Sequence, residues 1–375
     1  MFQKLKSLFS PEQKSMAQLP LVSIYNVGQP YWSPRNYLHF ARAGFSGNAV
    51  AYRSVRMIAE AAASVPLLLY RGQAELGAHA FLDLLAKPNP AQTRRELLET
   101  VTAYLLVAGN AYVEAQTLDG TPRELVALRP DRVQVIPGAK GWVEAYRYSA
   151  GGAFVNLPAE NVLHLKLFNP LDDYYGLSPF EAAAQSLDTH NAASAWNKAM
   201  LDNAARPSGA LVFSGGDGQL STQQYDRLKS ELQDNFQSAA NAGRPMVLEG
   251  GLDWKEMGFS PKDMDFINSK NNAAREIALA MGVPPMLLGI PGDNTYSNYA
   301  EANRVFWRQT VIPILRRVTD ALSQFVGLQF EEGLRLDLDL DQVEALSHDR
   351  DALWARVNAA SFLTDAEKRQ AVGYK

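Results

Sequence analysis

The stretch GVPPMLLGIPGDNTYSNYAEANRVFW, residues 282–307, decides the fold of this chain. Gly282, Pro284 and Pro285 end one helical pattern. A short loop rich in glycine, proline and asparagine follows, and a second helical pattern begins with Asn298 as its cap. The loop is too rich in turn residues to belong to a core. We therefore predict that two long helices present this loop at one place.

The composition is that of a folded protein. The chain has 375 residues, of which 47% are hydrophobic and 20% are charged, enough for two or more domains. Its net charge of −4 argues against a dominant basic face that grips nucleic acid. The chain has no cysteine, which excludes disulfides and thiolate chemistry and disfavours zinc sites. We predict no metal and no cofactor.

The apolar runs are too short for a membrane span, which needs ~18 residues, and we expect no membrane partner. The first ten residues, MFQKLKSLFS, place apolar side chains beside lysines. That pattern is also found in small helices that touch a membrane surface. A frayed terminus or a short docking segment is the favoured interpretation.

The first half of the chain predicts an irregular arm and then an α+β block. Residues 1–47 have weak periodicity and form the arm. Asn48 caps a helix that runs to about Ser64, and Thr93 and Glu96 form a capping box for another. After residue 110 the apolar period changes to two, which predicts an antiparallel sheet. The predicted strands are 111–117, 124–128, 132–136, 142–148 and 161–167, after an earlier strand at 66–71.

Two long helices bracket a small insert. The first helix, 178–205, opens with Ser178 as cap and Pro179 as first residue, and its many alanines suit close packing against other helices. The second, 260–282, has a similar start. Between them, residues 206–259 have the order β-α-β-β, with a hairpin around two glycines, and form an independent module.

The last part of the chain is mainly helical. A helix is predicted over 298–326, ending at Gly327. Pro313 lies inside it and removes one backbone hydrogen bond, so we predict a kink; two separate helices are the alternative. The remaining predicted elements are a strand at 334–340, a helix at 349–357 and a short helix capped by Thr364 and Glu367.

Signatures of common catalytic sites are missing. The sequence has no GxxxxGK[ST], GxSxG, HExxH or CxxC motif. Asp172 and Asp173 are paired acids of the kind used in hydrolysis, although a solvated turn is the favoured interpretation. His164 and His190 are interpreted as packed or surface histidines. We predict no catalytic residue.

The acids at 337, 339 and 341 imitate the start of a calcium loop. The sixth position of that loop requires glycine and the twelfth requires glutamate, but Gln342 and His348 stand there. A half-exposed strand with alternating acids is therefore the favoured interpretation.

Three segments carry a resemblance to a known family. YGLSPFEAA (175–183), MGVPPMLLG (281–289) and NTYSNYAEANRVFWRQTVIPIL (294–315) resemble the portal proteins of tailed bacteriophages, of the kind found in long-tailed phages and gene transfer agents. The resemblance covers about residues 30–345. It implies an α+β portal fold and a dodecameric ring at one capsid vertex, a head-tail connector through which DNA is packaged and ejected.

The resemblance also implies a division of the chain and a channel site. The implied parts are an arm (1–47), a wing (48–177 and 298–346), two stem helices (178–205 and 260–282), a clip (206–259), a tunnel loop region (283–297) and a short helical crown (347–375). The implied tunnel loop residues are Ile290, Pro291, Gly292, Asp293, Asn294, Thr295, Tyr296 and Ser297.

Two basic residues of the second stem helix, Lys270 and Arg275, are candidates for phosphate contacts in the channel. Ordinary salt bridges within the stem are the favoured alternative. The net negative charge fits a channel that does not grip DNA, because a strongly basic wall would hold the duplex through counterion release.

The implied partners are other copies of the chain, double-stranded DNA, the terminase large subunit, a head-completion adaptor protein and the major capsid protein. The implied location is the virion, at the portal vertex of the capsid, after assembly in the host bacterial cytoplasm. The alternatives are a head-associated hydrolase or nuclease, or an adaptor protein. Assembly separates them, because a portal forms large rings with a central hole.

Overall fold

Two helices that pack on each other, α2 (Ala49–Ser64) and α4 (Arg94–Ala108), form much of the core. This is a computed structural model; it describes residues 32–202, 209–213, 222–223, 225–227, 229–230, 252–256, 266–292 and 296–373. Asn48 caps α2, and Thr93 with Glu96 forms the capping box of α4. Both predicted helix starts are confirmed. The described residues from 33 onward form one compact unit.

The elements follow one another in a mixed order. The remaining helices are α1 (Tyr37–His39), α3 (Ala80–Ala86), α5 (Pro179–Ala182), α6 (Ala184–Asp202), α7 (Phe266–Met281), α8 (Tyr296–Phe306), α9 (Ile312–Leu322), α10 (Leu328–Phe330), α11 (Ser347–Ala359) and α12 (Asp365–Ala371). The strands are β1 (Leu67–Arg71), β2 (Ala74–Glu75), β3 (Asn110–Leu118), β4 (Thr121–Leu128), β5 (Val133–Pro137), β6 (Val143–Ala150), β7 (Ala153–Pro158), β8 (Val162–Lys166), β9 (Gly209–Phe213), β10 (Leu252–Glu256) and β11 (Leu334–Leu338).

The prediction of an irregular arm is wrong for residues 37–46. Asn36 caps α1, and the chain continues as a π-helical segment, Phe40–Ser46. Phe40 is buried and meets Phe180 edge to face at 6.2 Å. The partner of Phe40 is distant in sequence, so the local pattern gives no sign of this helix. Residues 1–31, including the apolar start, lie outside the described residues.

The predicted antiparallel sheet consists of two sheets. Their strand orders are β4-β3-β8 and β5-β6-β7, and all pairings are antiparallel. Between them lies a second apolar cluster formed by Tyr112, Leu128, Val133, Val135, Tyr146 and Val162. Strand β7 was not predicted, because nearly all of its residues are exposed and show no alternation. In a further sheet, β11 pairs with β1 antiparallel, and its three leucines face the core as predicted.

The first long helix is interrupted near its start. Ser178 caps a single turn, α5, and Ala183 leaves the helix with φ −92° and ψ 9° before α6 begins. The uninterrupted helix predicted over 178–205 is therefore wrong at this residue. Ser178 Oγ lies 2.9 Å from the carbonyl oxygens of Leu106 and of Val107, which fixes α5 to the end of α4.

The long C-terminal helix is continuous through Pro313, and the alternative of two separate helices is wrong. It comprises α8, the π-helical segment Trp307–Val311, α9, the π-helical segment Ser323–Gly327 and α10. It starts at Tyr296, two residues before the predicted cap. It passes through the predicted stop, Gly327, which is helical and packs against Phe81.

The small insert is partly described. Strands β9 and β10 pair antiparallel, with Phe213 opposite Leu252, and the described residues between 222 and 230 are helical. Both agree with the β-α-β-β prediction. The first strand of the predicted hairpin, and the starts and ends of the two long helices near 205 and 260, lie outside the described residues. At the C-terminus, α11 and the capped α12 confirm the predicted helices.

Candidate functional site

Helices α6 and α7 pack on each other, and α7 leads into the 283–297 loop. Small side chains, among them Ala193 and Ala274, are buried along them, which allows the two backbones to approach closely. Ser186 Oγ donates to Glu276 Oε2 across the pair. Ile267 of α7 is 74% exposed.

Polar contacts join α6 to the start of α2. The Asn48 amide donates to Nδ1 of His190 at 3.0 Å and to Oδ1 of Asn191 at 2.9 Å. Burial lowers the pKa of His190, and the positive charge of Lys270 lowers it further. His190 is therefore a packed neutral residue, as predicted, and Lys270 lies near it on α7.

The C-terminus of α7 is closed by a Schellman motif. Gly282 has φ +69°, its N–H donates to Leu279, and the N–H of Val283 donates to Ala278. Thr310 Oγ1 donates to the carbonyl of Gly282 at 2.5 Å. The long C-terminal helix thus holds the point where the loop leaves α7.

The first half of the loop has a fixed structure. A 3₁₀ turn, Pro285–Leu288, is followed by Gly289 with φ +71°. Ile290 is buried with Ala274 of α7, while Pro291 and Gly292 are exposed. Ile290 is therefore an anchor of the loop in this chain rather than a freely exposed residue.

Arg275 contacts the loop itself. Its guanidinium donates to the carbonyl of Pro291. This contact corresponds to neither sequence-based interpretation of Arg275, a phosphate contact or a salt bridge. The sequence gives no sign of it, because the acceptor is a backbone carbonyl sixteen residues away.

The second half of the predicted loop is only partly described. Asp293, Asn294 and Thr295 lie outside the described residues. Tyr296 and Ser297 open α8, so their assignment to the loop is corrected. The structure therefore brings together Arg275 and the loop residues 290–292.

Asn110 fixes the segment that leads into α5. The sequence pattern did not predict this role. The Oδ1 of Asn110 accepts from the N–H of Gly176 at 2.8 Å and contacts Nε2 of His164 at 3.0 Å. His164 stacks on Tyr112 with 4.3 Å between ring centroids. Burial, reinforced by Lys166, lowers the pKa of His164 to about 3, so this histidine is neutral at physiological pH.

Gly109 and Gly176 touch back to back at the same point. A methyl group on Gly109 would lie 2.5 Å from the Gly176 carbonyl oxygen, and one on Gly176 would overlap the carbonyl of Gly109. Both positions therefore require glycine.

The acids considered for hydrolysis are engaged in local structure. Asp172 Oδ1 accepts from the N–H groups of Tyr174 and Tyr175, which is the solvated turn that the sequence favoured. Asp337 pairs with Arg335, and Asp339 accepts from the N–H of Asp341. Within the described ranges, no three histidines or acids are grouped in a way that could hold a metal ion.

The helices that the structure describes include none that is both long enough and apolar enough to cross a membrane.

Comparison with known proteins decides the family. The family model described as "Phage portal protein" matches residues 49–373. The chain belongs to the phage portal protein family. The resemblance, the α+β portal fold and the portal function predicted from the sequence are confirmed. The probable portal protein of Streptomyces phage phiC31 is 26% identical, over 89% of this chain and 75% of that protein.

Solved structures of gene transfer agent particles are more similar. The neck of a native particle, computed with C12 symmetry, contains a chain 53% identical with a TM-score of 0.71. The neck of an empty particle, computed with C6 symmetry, contains one 52% identical with a TM-score of 0.74. Each match covers 93% of this chain and 96% of the other.

Proposed function

We propose that twelve copies of this chain form a ring at one vertex of a capsid, and that double-stranded DNA passes through the ring during packaging and ejection. The observation that carries this proposal is the 53% identity, over 93% of the chain, to a chain in a gene transfer agent neck with C12 symmetry. A portal of this kind resides in the virion, after assembly in the host bacterial cytoplasm. Its role is structural, with neither catalysis nor cofactor.

The parts of the ring follow from the order of the elements. In the proposed ring, α6 and α7 lie in the stem (178–205 and 260–282), and the tunnel loop region (283–297) forms the narrowest point of the channel. The wing comprises 48–177 and 298–346, the crown 347–375 and the arm 1–47. The packing of α6 on α7 and the fixed base of the loop support this assignment, because a constriction must keep its shape as DNA passes.

The clip (206–259) is the proposed docking site for the terminase large subunit during packaging and for a head-completion adaptor afterwards. Its position supports this assignment, since β9 and β10 emerge between α6 and α7, at the opposite end of these helices from the loop. The major capsid protein would contact the wing from outside.

The two basic residues of α7 receive different roles. Arg275 is proposed to brace the tunnel loop through the carbonyl of Pro291. Lys270 remains the proposed phosphate contact of the stem. His190, which lies near it, is neutral and therefore does not offset the positive charge of Lys270.

Negative-stain images and native mass measurements of the purified chain test the proposal. Rings with a central hole and the mass of twelve chains are expected. Compact monomers or dimers at micromolar concentration would contradict it. Metal-dependent cleavage of DNA by the same preparation would favour the nuclease alternative.

A further inference from the structure

The two halves of the long C-terminal helix differ in how firmly they are packed. In α9, Leu315, Val318 and Leu322 are buried in the main core. In α8, the side chains from Asn298 to Glu301 are exposed. Among the α8 side chains that the structure describes, only Phe306, at the end of the helix, is buried. Apolar burial therefore fixes α9 far more firmly than α8.

A π-helical segment, Trp307–Val311, separates these halves. The N–H of Ile312 donates to the carbonyl of Trp307, five residues back. A π turn holds one residue more than an α turn. Moving that extra residue along the helix would rotate the preceding part by about 100° and shift it by about 1.5 Å. Pro313 follows at once and has no N–H to contribute there, so the regular α pattern is weakened at this point.

The π-helical segment is attached on one side to the end of α7. Thr310 lies within it and donates to the carbonyl of Gly282. The segment therefore stays in place while α8, which precedes it, has few apolar contacts. This is the arrangement of a hinge whose fixed part is α9 and whose moving part is α8.

One acidic residue of the C-terminal region holds α8. Asp349, in the first turn of α11, contacts Arg304 of α8 at 3.2 Å and Arg308 of the π-helical segment at 3.7 Å. Arg304 also pairs with Glu301 of its own helix, and its Nε is buried without a hydrogen-bond partner in the described part of the chain. The four charged groups of this cluster are partly exposed, so each pair contributes only about 1 kcal/mol or less.

We propose that Trp307–Val311 is a hinge for α8 and that Asp349 is the latch that holds α8 against α11. A latch this weak can be opened by modest displacement of α11. Because α8 begins at the end of the tunnel loop region, the position of α11 affects the end of that loop that joins α8. The proposal rests on the proposed function for its meaning in the channel, but the hinge itself is a property of the chain.

Hydrogen exchange of purified protein tests the latch. Asp349→Asn should speed amide exchange in residues 298–306 by about five-fold, as expected for the loss of about 1 kcal/mol, and leave 312–322 unchanged. Asp351→Asn, the matched control, removes the same charge two residues later and should change neither segment. Unchanged exchange over 298–306, or equal acceleration in α9, would overturn the proposal.

A second variant guards against simple unfolding of α11. Arg304→Gln breaks the same contact and leaves the sequence of α11 intact, so it should reproduce the effect on 298–306. If Asp349→Asn acts but Arg304→Gln does not, Asp349 only stabilises its own helix and the latch is refuted.

Spin labels test the hinge. The chain has no cysteine, so labels at Ala300→Cys and Asp320→Cys report the distance between α8 and α9 without background. Asp349→Asn should broaden this distance distribution, with labelled chains diluted in unlabelled ones. An unchanged distribution would refute the hinge alone, whereas failure of the unmodified chain to form rings would refute the proposed function.

Discussion

At the residue scale, Asn110 is an example of a structural residue whose partners are too distant in the sequence to be recognised from the local pattern. Its amide contacts His164 and Gly176, which lie 54 and 66 residues further along the chain. A capping asparagine such as Asn48 is recognisable because its partners are its immediate neighbours. Asn110 has no such local sign, and its role becomes visible only when the sheet and the α5 turn are assembled.

His164 should make stability depend on pH. Its folded pKa is lowered to about 3 by burial, whereas an unfolded histidine has a pKa near ~6.5. The unfolded state therefore binds more protons between these values, and the contribution of His164 is complete above ~6.5 and lost as the pH falls towards 3. His164→Gln should be less stable at pH 7 but should lose less stability between pH 6.5 and 4.

Urea unfolding of the two proteins at several pH values measures this difference. Carboxylates titrate in both proteins, so the comparison isolates the histidine. Parallel loss of stability in both would show that His164 is not kept neutral by the fold.

Gly176 should tolerate no side chain. Gly176→Ala forces a methyl group onto the carbonyl of Gly109, and backbone cannot move aside as a flexible side chain can. We expect a loss of at least ~2 kcal/mol of unfolding free energy, or no folded protein. Gly77→Ala is the matched control, since a methyl group there meets nothing within 4 Å. Equal urea midpoints for the two variants would contradict the assignment.

At the element scale, most capped helix starts were predictable and helix interruptions were not. Caps at Asn48, Thr93 and Thr364 lie where the sequence put them, because a cap is a contact within four residues. The π-helical segments and the break at Ala183 have no comparable cap signature in the sequence. The prediction that the helix ends at Gly327 was wrong because Gly327 is helical and packs against Phe81.

The end of α7 gives a prediction at this scale. Gly282→Ala places a side chain in a left-handed conformation and 2.7 Å from Thr310 Oγ1, which must rotate and lose its bond to the Gly282 carbonyl. Gly289 has a similar φ, and a methyl group there would meet nothing within 4 Å. Gly289→Ala should therefore lose only the conformational free energy of about 1 kcal/mol.

Thermal unfolding compares them. The midpoint should fall by about 1 °C for Gly289→Ala and by at least twice as much for Gly282→Ala. Equal shifts would mean that Thr310 does not hold the end of α7.

At the scale of the whole molecule, the sequence predicted the order of the helices and strands better than their exact bounds. Two long helices around a small module, and a loop between the second helix and a third, follow from caps, glycines and apolar periods. The sequence did not predict which residues of the loop are exposed, since Ile290 is buried and Tyr296 is helical. These depend on how α7, α8 and the loop meet, and that is tertiary structure.

The clip should be removable without loss of the ring. Phe213 and Leu252 are paired at the end of β9 and β10, so replacing residues 214–251 by Asn-Gly closes a two-residue hairpin. The shortened chain should still form rings in negative stain but should fail to bind the terminase large subunit in pull-down. Normal binding would refute the clip assignment, and loss of rings would place subunit contacts in the deleted segment.

The most direct measurement is an electron cryomicroscopy reconstruction of the ring formed by this chain. We expect twelve-fold symmetry, with α6 and α7 around an axial channel and Pro291, Gly292 and residues 293–295 at its narrowest point. A reconstruction without a channel, or one whose constriction is built by other residues while the 290–297 segment lies away from the axis, would contradict it.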